Sequence, residues 1–289
     1  VAYAEKRFVT IVPEIDLPGH INAALASYGE LNSNIVVTEK GRVPNPQTGT
    51  NPKARPTDLY SGIEVCWSTL SPSQEATFPF LEDVIREVAS ITPGPYLHIG
   101  GDEAHVTPKD NYILFVNRLR EMVRKNNKVM IGWEEIAQAA IDTNAIAQHW
   151  ASEAFAQQAA AKGAKIIMSP SKRVYLDMQY DSTSRIGLHW AAYIEVDDAY
   201  NWDPESHISG INESNILGIE APLWSETVTN MQDIEYLVFP RLTGIAELAW
   251  TAKDNRGWNG YSRRLGNHAN HFEALGISYY PSGRIVWNR

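Results

Sequence analysis

The sequence predicts an α/β fold built on a parallel sheet, and two observations carry that prediction. Short apolar runs alternate along the chain with longer segments of helical period, the pattern of a βαβ series. Two long segments rich in Pro, Gly, Asn and Asp, 32–62 and 178–212, follow strand-like runs, and loops of that length in a compact fold usually carry function.

The opening residues, VAYAEKRF, read as the last turns of a helix, because Ala2, Ala4, Lys6 and Arg7 favour that conformation and a cationic end suits its C-terminal dipole. A chain that opens in this way is expected to continue something longer. Strands are predicted at 8–15, 96–101, 128–133, 145–150, 164–170 and 216–224. Helices are predicted at 78–91, 110–126, 152–163 and 231–250, with a last one at 261–276 that ends on a glycine suited to a helix C-terminus. In the second helix Tyr112, Phe115, Val116, Leu119 and Val123 recur at three- and four-residue steps, which places them on one face. No internal repeat or low-complexity tract interrupts the series.

With 289 residues, 44% of them hydrophobic, the chain has material for a large core, and a single domain over residues 1–289 is expected. Its 25 Lys and Arg against 34 Asp and Glu leave a net charge of -9, which would repel a phosphate backbone or an anionic membrane surface, so neither is an expected partner. Apolar runs fall far short of the ~20 residues a membrane helix needs, so a soluble protein is expected. The single cysteine, Cys66, cannot form an internal disulfide, and no zinc-type Cys/His spacing occurs; Cys66 reads as a small apolar residue, and no metal or cofactor is expected.

The chemistry lies in what finishes each strand: Glu14, Asp16 and His20; Asp102 and Glu103; Trp133, Glu134 and Glu135; Trp150; Tyr175 and Asp177; Trp224 and Glu226. A lone Trp at a strand end is more often a packing residue, and a lone carboxylate there often caps the next helix. A shared pocket explains all of them at once. Indole faces pack on the C–H faces of sugars, and carboxylates accept hydrogen bonds from their hydroxyls.

The stretch HIGGDEAH, residues 98–105, sets two acids side by side. Carboxyl groups that act from opposite sides of a glycosidic bond stand roughly 5–5.5 Å apart when one is the nucleophile and roughly 6.5–9.5 Å apart when water intervenes. Neighbours at one strand end face each other across a sugar ring only with difficulty. Adjacency suits a third solution, in which the substrate's own 2-acetamido oxygen attacks the anomeric carbon. Glu103 is then the general acid/base, and Asp102 orients the acetamido group and stabilises the oxazolinium charge. Each acid disfavours ionisation of its neighbour, which helps keep a proton available near neutral pH. Gly100 and Gly101, lacking Cβ atoms, let the backbone turn so that both acids reach the pocket. A metal hydrolase with His98, Asp102, Glu103 and His105 as ligands is the rival reading; His98 lies inside the strand, and no HExxH occurs.

The motifs VPEIDLPGH, YLHIGGDEAH, GWEE, YLDM, EAPLWSE and FPRLTGIAELAW together resemble glycoside hydrolase family 20, the β-N-acetylhexosaminidases, and most closely its bacterial members. The resemblance implies a (β/α)8 TIM barrel of which this chain covers approximately strands 3 to 8, and a retaining exo-glycosidase that removes terminal β-linked N-acetylglucosamine or N-acetylgalactosamine. It implies the same roles for Asp102 and Glu103, and places Tyr175 on the acetamido carbonyl. Trp133, Trp150 and Trp224 are then expected around the acetamido pocket and ring, Asp177 and Glu226 on the outer hydroxyls, and Trp190 beneath the leaving sugar. Asp16 and His20 correspond to a supporting polar pair. An arginine of the first barrel strand and an aspartate of the second have no counterpart here, so the N-terminal barrel segment is an expected partner. A lacto-N-biosidase of the same family, or a barrel that binds sugar without cleaving it, stays open; so do the natural substrate and a secreted, periplasmic or cytoplasmic location.

Overall fold

The structure, a computed structural model, describes residues 1–31, 62–63, 65 and 68–288. Cys66 and all but the last residue of the predicted loop 32–62 lie outside the described residues. The chain forms two compact units, Val1–Gln148 with Ala154–Lys165, and His149–Glu153 with Ile166–Arg289. Among the described residues no helix is long and apolar enough to cross a membrane.

In the first unit strands β1 (Tyr96–His98), β2 (Val129–Trp133) and β3 (Ala145–His149) pair in parallel, with Tyr96 opposite Val129 and Met130 opposite Ala145. Every residue of β3 is buried, as in a sheet covered on both faces, which is why its sequence runs apolar without alternation. The helices Thr77–Ile91 and Lys109–Lys125 lead into β1 and β2. The latter buries Tyr112, Phe115, Val116, Leu119 and Val123, the stripe read from its periodicity, and adds Met122.

The chain enters two of its strands through one device. After Lys125 the N–H of Lys128 bonds to Val123 O at 3.2 Å and that of Asn127 to Arg124 O at 3.0 Å, with Asn127 left-handed at φ 56°. Helix Glu153–Ala161 closes identically, with Gly163 at φ 86° and bonds from Ala164 to Ala159 O and from Gly163 to Ala160 O, directly ahead of β4 (Lys165–Met168). Both closures satisfy orphan carbonyls and reverse the chain within two residues of a strand.

The predicted strand 8–15 is corrected. Only Glu14 bridges to His98, supported by Ile15 N–H to His98 O at 3.0 Å and His98 N–H to Pro13 O at 2.9 Å. Pro13 has no N–H to donate, and Phe8, Val9, Ile11 and Val12 are all exposed, so no burial extends the ladder toward the N-terminus.

In the second unit β4 pairs in parallel with β5 (Ile216–Ile219), with a register shift between Ile166 and Ile167. β5 is shorter than predicted: Glu220 N–H still donates to Met168 O at 3.1 Å, but residues 221–224 leave the ladder, and Pro222, without an N–H, accepts from Leu176 at 2.7 Å. The predicted helix 231–250 is two, Met231–Val238 and Arg241–Trp250, because Pro240 breaks the hydrogen-bond run. The predicted helix 261–276 is also two, Trp258–Gly266 and Ala269–Ala274. There the Gly266 carbonyl accepts from Asn288 N–H at 3.0 Å, and a Cβ on Gly266 would meet Val286 O at 2.1 Å, so the C-terminal segment interrupts the helix by close approach. The expected glycine closure stands at Gly276, φ 69°. Within the predicted loop 178–212 lies one short helix, Val196–Tyr200, with a capping box between Glu195 and Asp198.

The Asn127 closure gives a direct test. Asn127→Gly should leave stability unchanged or slightly raised, whereas Asn127→Val should cost about 1–2 kcal/mol because a β-branched residue resists the left-handed region. Urea denaturation measures both, and equal midpoints would contradict the assignment.

Candidate active site

The acids of the first unit are placed by a backbone that only glycine can follow. Beyond β1 the chain turns through Gly100 at φ 68° and Gly101 at φ 110°. A Cβ on Gly100 would lie 1.7 Å from Asp16 Oδ1, so the absence of a side chain is what admits the Asp16 carboxyl. Gly101 N–H donates to that oxygen at 3.3 Å, and the Tyr112 hydroxyl donates to Gly101 O at 2.7 Å. The next two residues are Asp102 and Glu103, the latter itself left-handed at φ 49°.

His20, also left-handed at φ 51°, sets its Nε2 3.3 Å from Asp102 Oδ2 and 3.3 Å from Glu103 Oε2. The nearby Asp102 and then Glu103 carboxyl groups outweigh burial and raise the His20 pKa to about 10, so the ring is a cation at neutral pH. Burial first, and the Asp102 charge second, push Asp16 up to about 8, so Asp16 is neutral there. The other oxygen of Asp102, Oδ1, is buried and accepts no hydrogen bond among the described residues. A buried acceptor left open in this way awaits a donor.

Trp133 reaches this cluster through other groups. Its Nε1 donates to Glu14 Oε1 at 3.0 Å, its backbone N–H donates to Gly100 O at 2.8 Å, and the His98 ring meets it edge-on at 5.5 Å. Burial pushes the Glu14 carboxyl up, but contacts with His98 and Trp133 outweigh it and hold the group below the usual carboxylate range. Sequence reasoning placed Glu14 at the strand end without giving it a task; the signal is its place two residues before Asp16, on the same side of an extended segment.

The second unit gathers the aromatic residues. Tyr175 and Trp190 meet edge to face at 6.0 Å, Trp150 and Trp190 at 6.1 Å, and Tyr175 and Trp224 tilt together at 6.3 Å. Tyr175 is buried, whereas Trp190 is 56% exposed, so the group has a fixed floor and an open wall. Asp177 is 1% exposed. Burial, then repulsion from Glu226, push its carboxyl up to about 6.

Within the units, then, Asp16, His20, Asp102 and Glu103 form one set and Trp150, Tyr175, Asp177, Trp190, Trp224 and Glu226 another. Of the four residues in the metal-hydrolase reading, His98 turns to Glu14 and His105 is exposed. Among the described residues, the group whose ligand atoms come within 4.8 Å of one another is instead Asp16, His20 and Asp102.

Two consequences are measurable. Gly100→Ala should destabilise the protein by about 3 kcal/mol or more, since both the Asp16 contact and the positive φ resist a side chain; a loss under about 1 kcal/mol in urea denaturation would contradict the packing. His20 has a folded pKa raised above its unfolded value of 6.5, so its contribution is fully present below pH 6.5 and fades as pH rises through about 10. The stability difference between the wild type and His20→Gln should therefore shrink over that interval, and a difference that grows would refute the bridge.

The sequence profile of glycosyl hydrolase family 20, catalytic domain, matches residues 1–112 and 105–253. A β-N-acetylhexosaminidase of Cellulomonas fimi is 39% identical over 284 residues, covering 97% of this chain and 53% of that protein. Among solved structures, the GH20 β-N-acetylhexosaminidase of Streptomyces coelicolor A3(2) superposes with a TM-score of 0.90 at 40% identity, covering 100% of this chain and 56% of the other. The N-acetyl-β-hexosaminidase of Streptomyces plicatus in complex with Thio-NAglucal gives 0.91 at 40% identity, covering 100% and 55%. The chain thus spans about half the length of these relatives. It belongs to glycosyl hydrolase family 20, and the parallel α/β architecture is that of the family's catalytic domain.

Proposed function

We propose that the protein to which this chain belongs is a retaining exo-β-N-acetylhexosaminidase that removes terminal GlcNAc or GalNAc by substrate-assisted catalysis. The observation that carries this reading is the adjacent pair Asp102 and Glu103, bridged by one His20 nitrogen, with Asp102 Oδ1 buried and open. In this mechanism Asp102 Oδ1 accepts the acetamido N–H, and the acetamido oxygen, with Tyr175 donating to it, attacks the anomeric carbon. The glycosidic bond breaks as Glu103 delivers its proton to the leaving oxygen. Asp102 stabilises the positive charge on the resulting oxazolinium ring. Water then adds to the anomeric carbon, gives its proton to Glu103, and the amide is restored with overall retention.

Trp133, Trp150 and Trp224 enclose the acetamido group and sugar ring, Asp177 and Glu226 bind the outer hydroxyls, and Trp190 carries the leaving sugar. His20 and Asp16 support the pair: the imidazolium offsets the Asp102 carboxylate and holds Glu103 beside it, and a neutral Asp16 adds no further charge. Further support comes from relatives, since the Streptomyces plicatus enzyme has been solved with product GlcNAc at 40% identity. We also propose that residues 1–289 are part of a (β/α)8 barrel, covering approximately strands 3 to 8, which an N-terminal barrel segment completes.

Release of nitrophenol from p-nitrophenyl N-acetyl-β-glucosaminide, with no release from the matching β-glucoside, tests the reading in the whole protein; equal turnover of both would end it. Glu103→Gln should lose about 100-fold or more on substrates with poor leaving groups and much less on activated aryl glycosides. Asp102→Asn should lose about 100-fold on every N-acetyl substrate. Steady-state kinetics on both classes decides, and equal losses for Glu103→Gln on the two would contradict its role as the acid.

A further inference from the structure

Arg241 is a cation in the core, 1% exposed, and no ion pair to it occurs among the described residues. Its Nη1 donates to Met178 O at 2.8 Å and Ile194 O at 3.2 Å, and its Nη2 to Leu176 O at 2.6 Å and Leu237 O at 2.7 Å. The guanidinium carbon lies 3.8 Å from the centre of the Tyr180 ring, which stacks on Tyr280 at 3.9 Å. Burying a charge on carbonyl dipoles and an aromatic face, with only the field of the Asp177 carboxyl to favour it, is an expensive way to fill a core, and an apolar side chain of similar volume would often serve stability equally well. What a guanidinium adds is a rigid planar fork that fixes several acceptors at once.

The acceptors identify what is being fixed. Leu176 and Met178 flank Asp177, so Arg241 holds the carbonyl on each side of it. The carbonyl of Asp177 itself points elsewhere and accepts from Leu188 N–H at 2.9 Å. Leu176 N–H is bound as well, by Pro222 O at 2.7 Å. Residues 175–177 belong to no helix or strand, so this clamp does for them what a ladder does for a strand.

We infer that Arg241 is a positioning residue for sugar binding: its fork locks the main chain around Asp177, and so aims the Tyr175 and Asp177 side chains at the substrate. The inference rests on the sugar-binding roles proposed for those two residues. It concerns a side chain that never touches the sugar.

The test uses the whole enzyme and p-nitrophenyl N-acetyl-β-glucosaminide, comparing Arg241→Lys, Asp177→Asn, Tyr175→Phe and the double variants. Arg241→Lys should raise KM about 10-fold or more, the scale expected of a small misplacement of binding groups. Placed on Asp177→Asn or on Tyr175→Phe, it should cost clearly less than on the wild type, because part of the geometry it protects is no longer used. A purely structural role would lower the folded fraction, and with it the maximal rate, at unchanged KM. That result, or undiminished losses in the double variants, overturns the inference while the sugar-binding reading stands. If Asp177→Asn and Tyr175→Phe each leave KM and kcat unchanged, the sugar-binding reading falls and takes the inference with it. Should Arg241→Lys fail to fold, Tyr180→Leu, which removes the ring beneath the guanidinium and leaves its four carbonyls, decides by the same two readouts.

Discussion

A single imidazole nitrogen, 3.3 Å from each of two neighbouring carboxylates, is the interaction on which the acid cluster depends. Two acids in adjacent positions would otherwise repel, and each would lose its direction to solvent. With a cation between them both side chains turn toward one point. The cation needs the acids to keep its proton, and the acids need the cation to stay close; Asp16, neutralised by burial, completes the cluster without adding a charge.

The two units meet the same requirement by different means. In the first, tight backbone approach decides where groups sit: Asp16 occupies the space a side chain on Gly100 would need, and Tyr112 anchors the neighbouring carbonyl. In the second, edge-to-face rings set the aromatic group, and a buried guanidinium gathers the carbonyls around Asp177. Both solutions take their precision from elements outside the functional side chains, since loop residues cannot rely on sheet or helix periodicity for their direction.

Features that depend on near neighbours in the chain were legible in the sequence. The stripe from Tyr112 to Val123 is such a feature, as are the acid pair and the glycine pair before it. Segment 8–15 was misread because an apolar run does not say whether a neighbour will pair with it, and Pro13 weighed less than it should have. The break at Pro240 was in plain view, but strong periodicity on either side masked it. The break after Gly266 was not visible, since it depends on contact with Asn288 across a long separation. The raised pKa of Asp16 was hidden for the same reason: it needs Asp102, 86 residues away, and a burial that only the folded chain creates.

His20 and Glu103 share an unusual trait: both are non-glycine residues in the left-handed region. A side chain on such a backbone leaves in a direction that the extended segment before it does not dictate. Small changes of twist or spacing within the sheet would then be absorbed at these two bends before reaching the reactive groups.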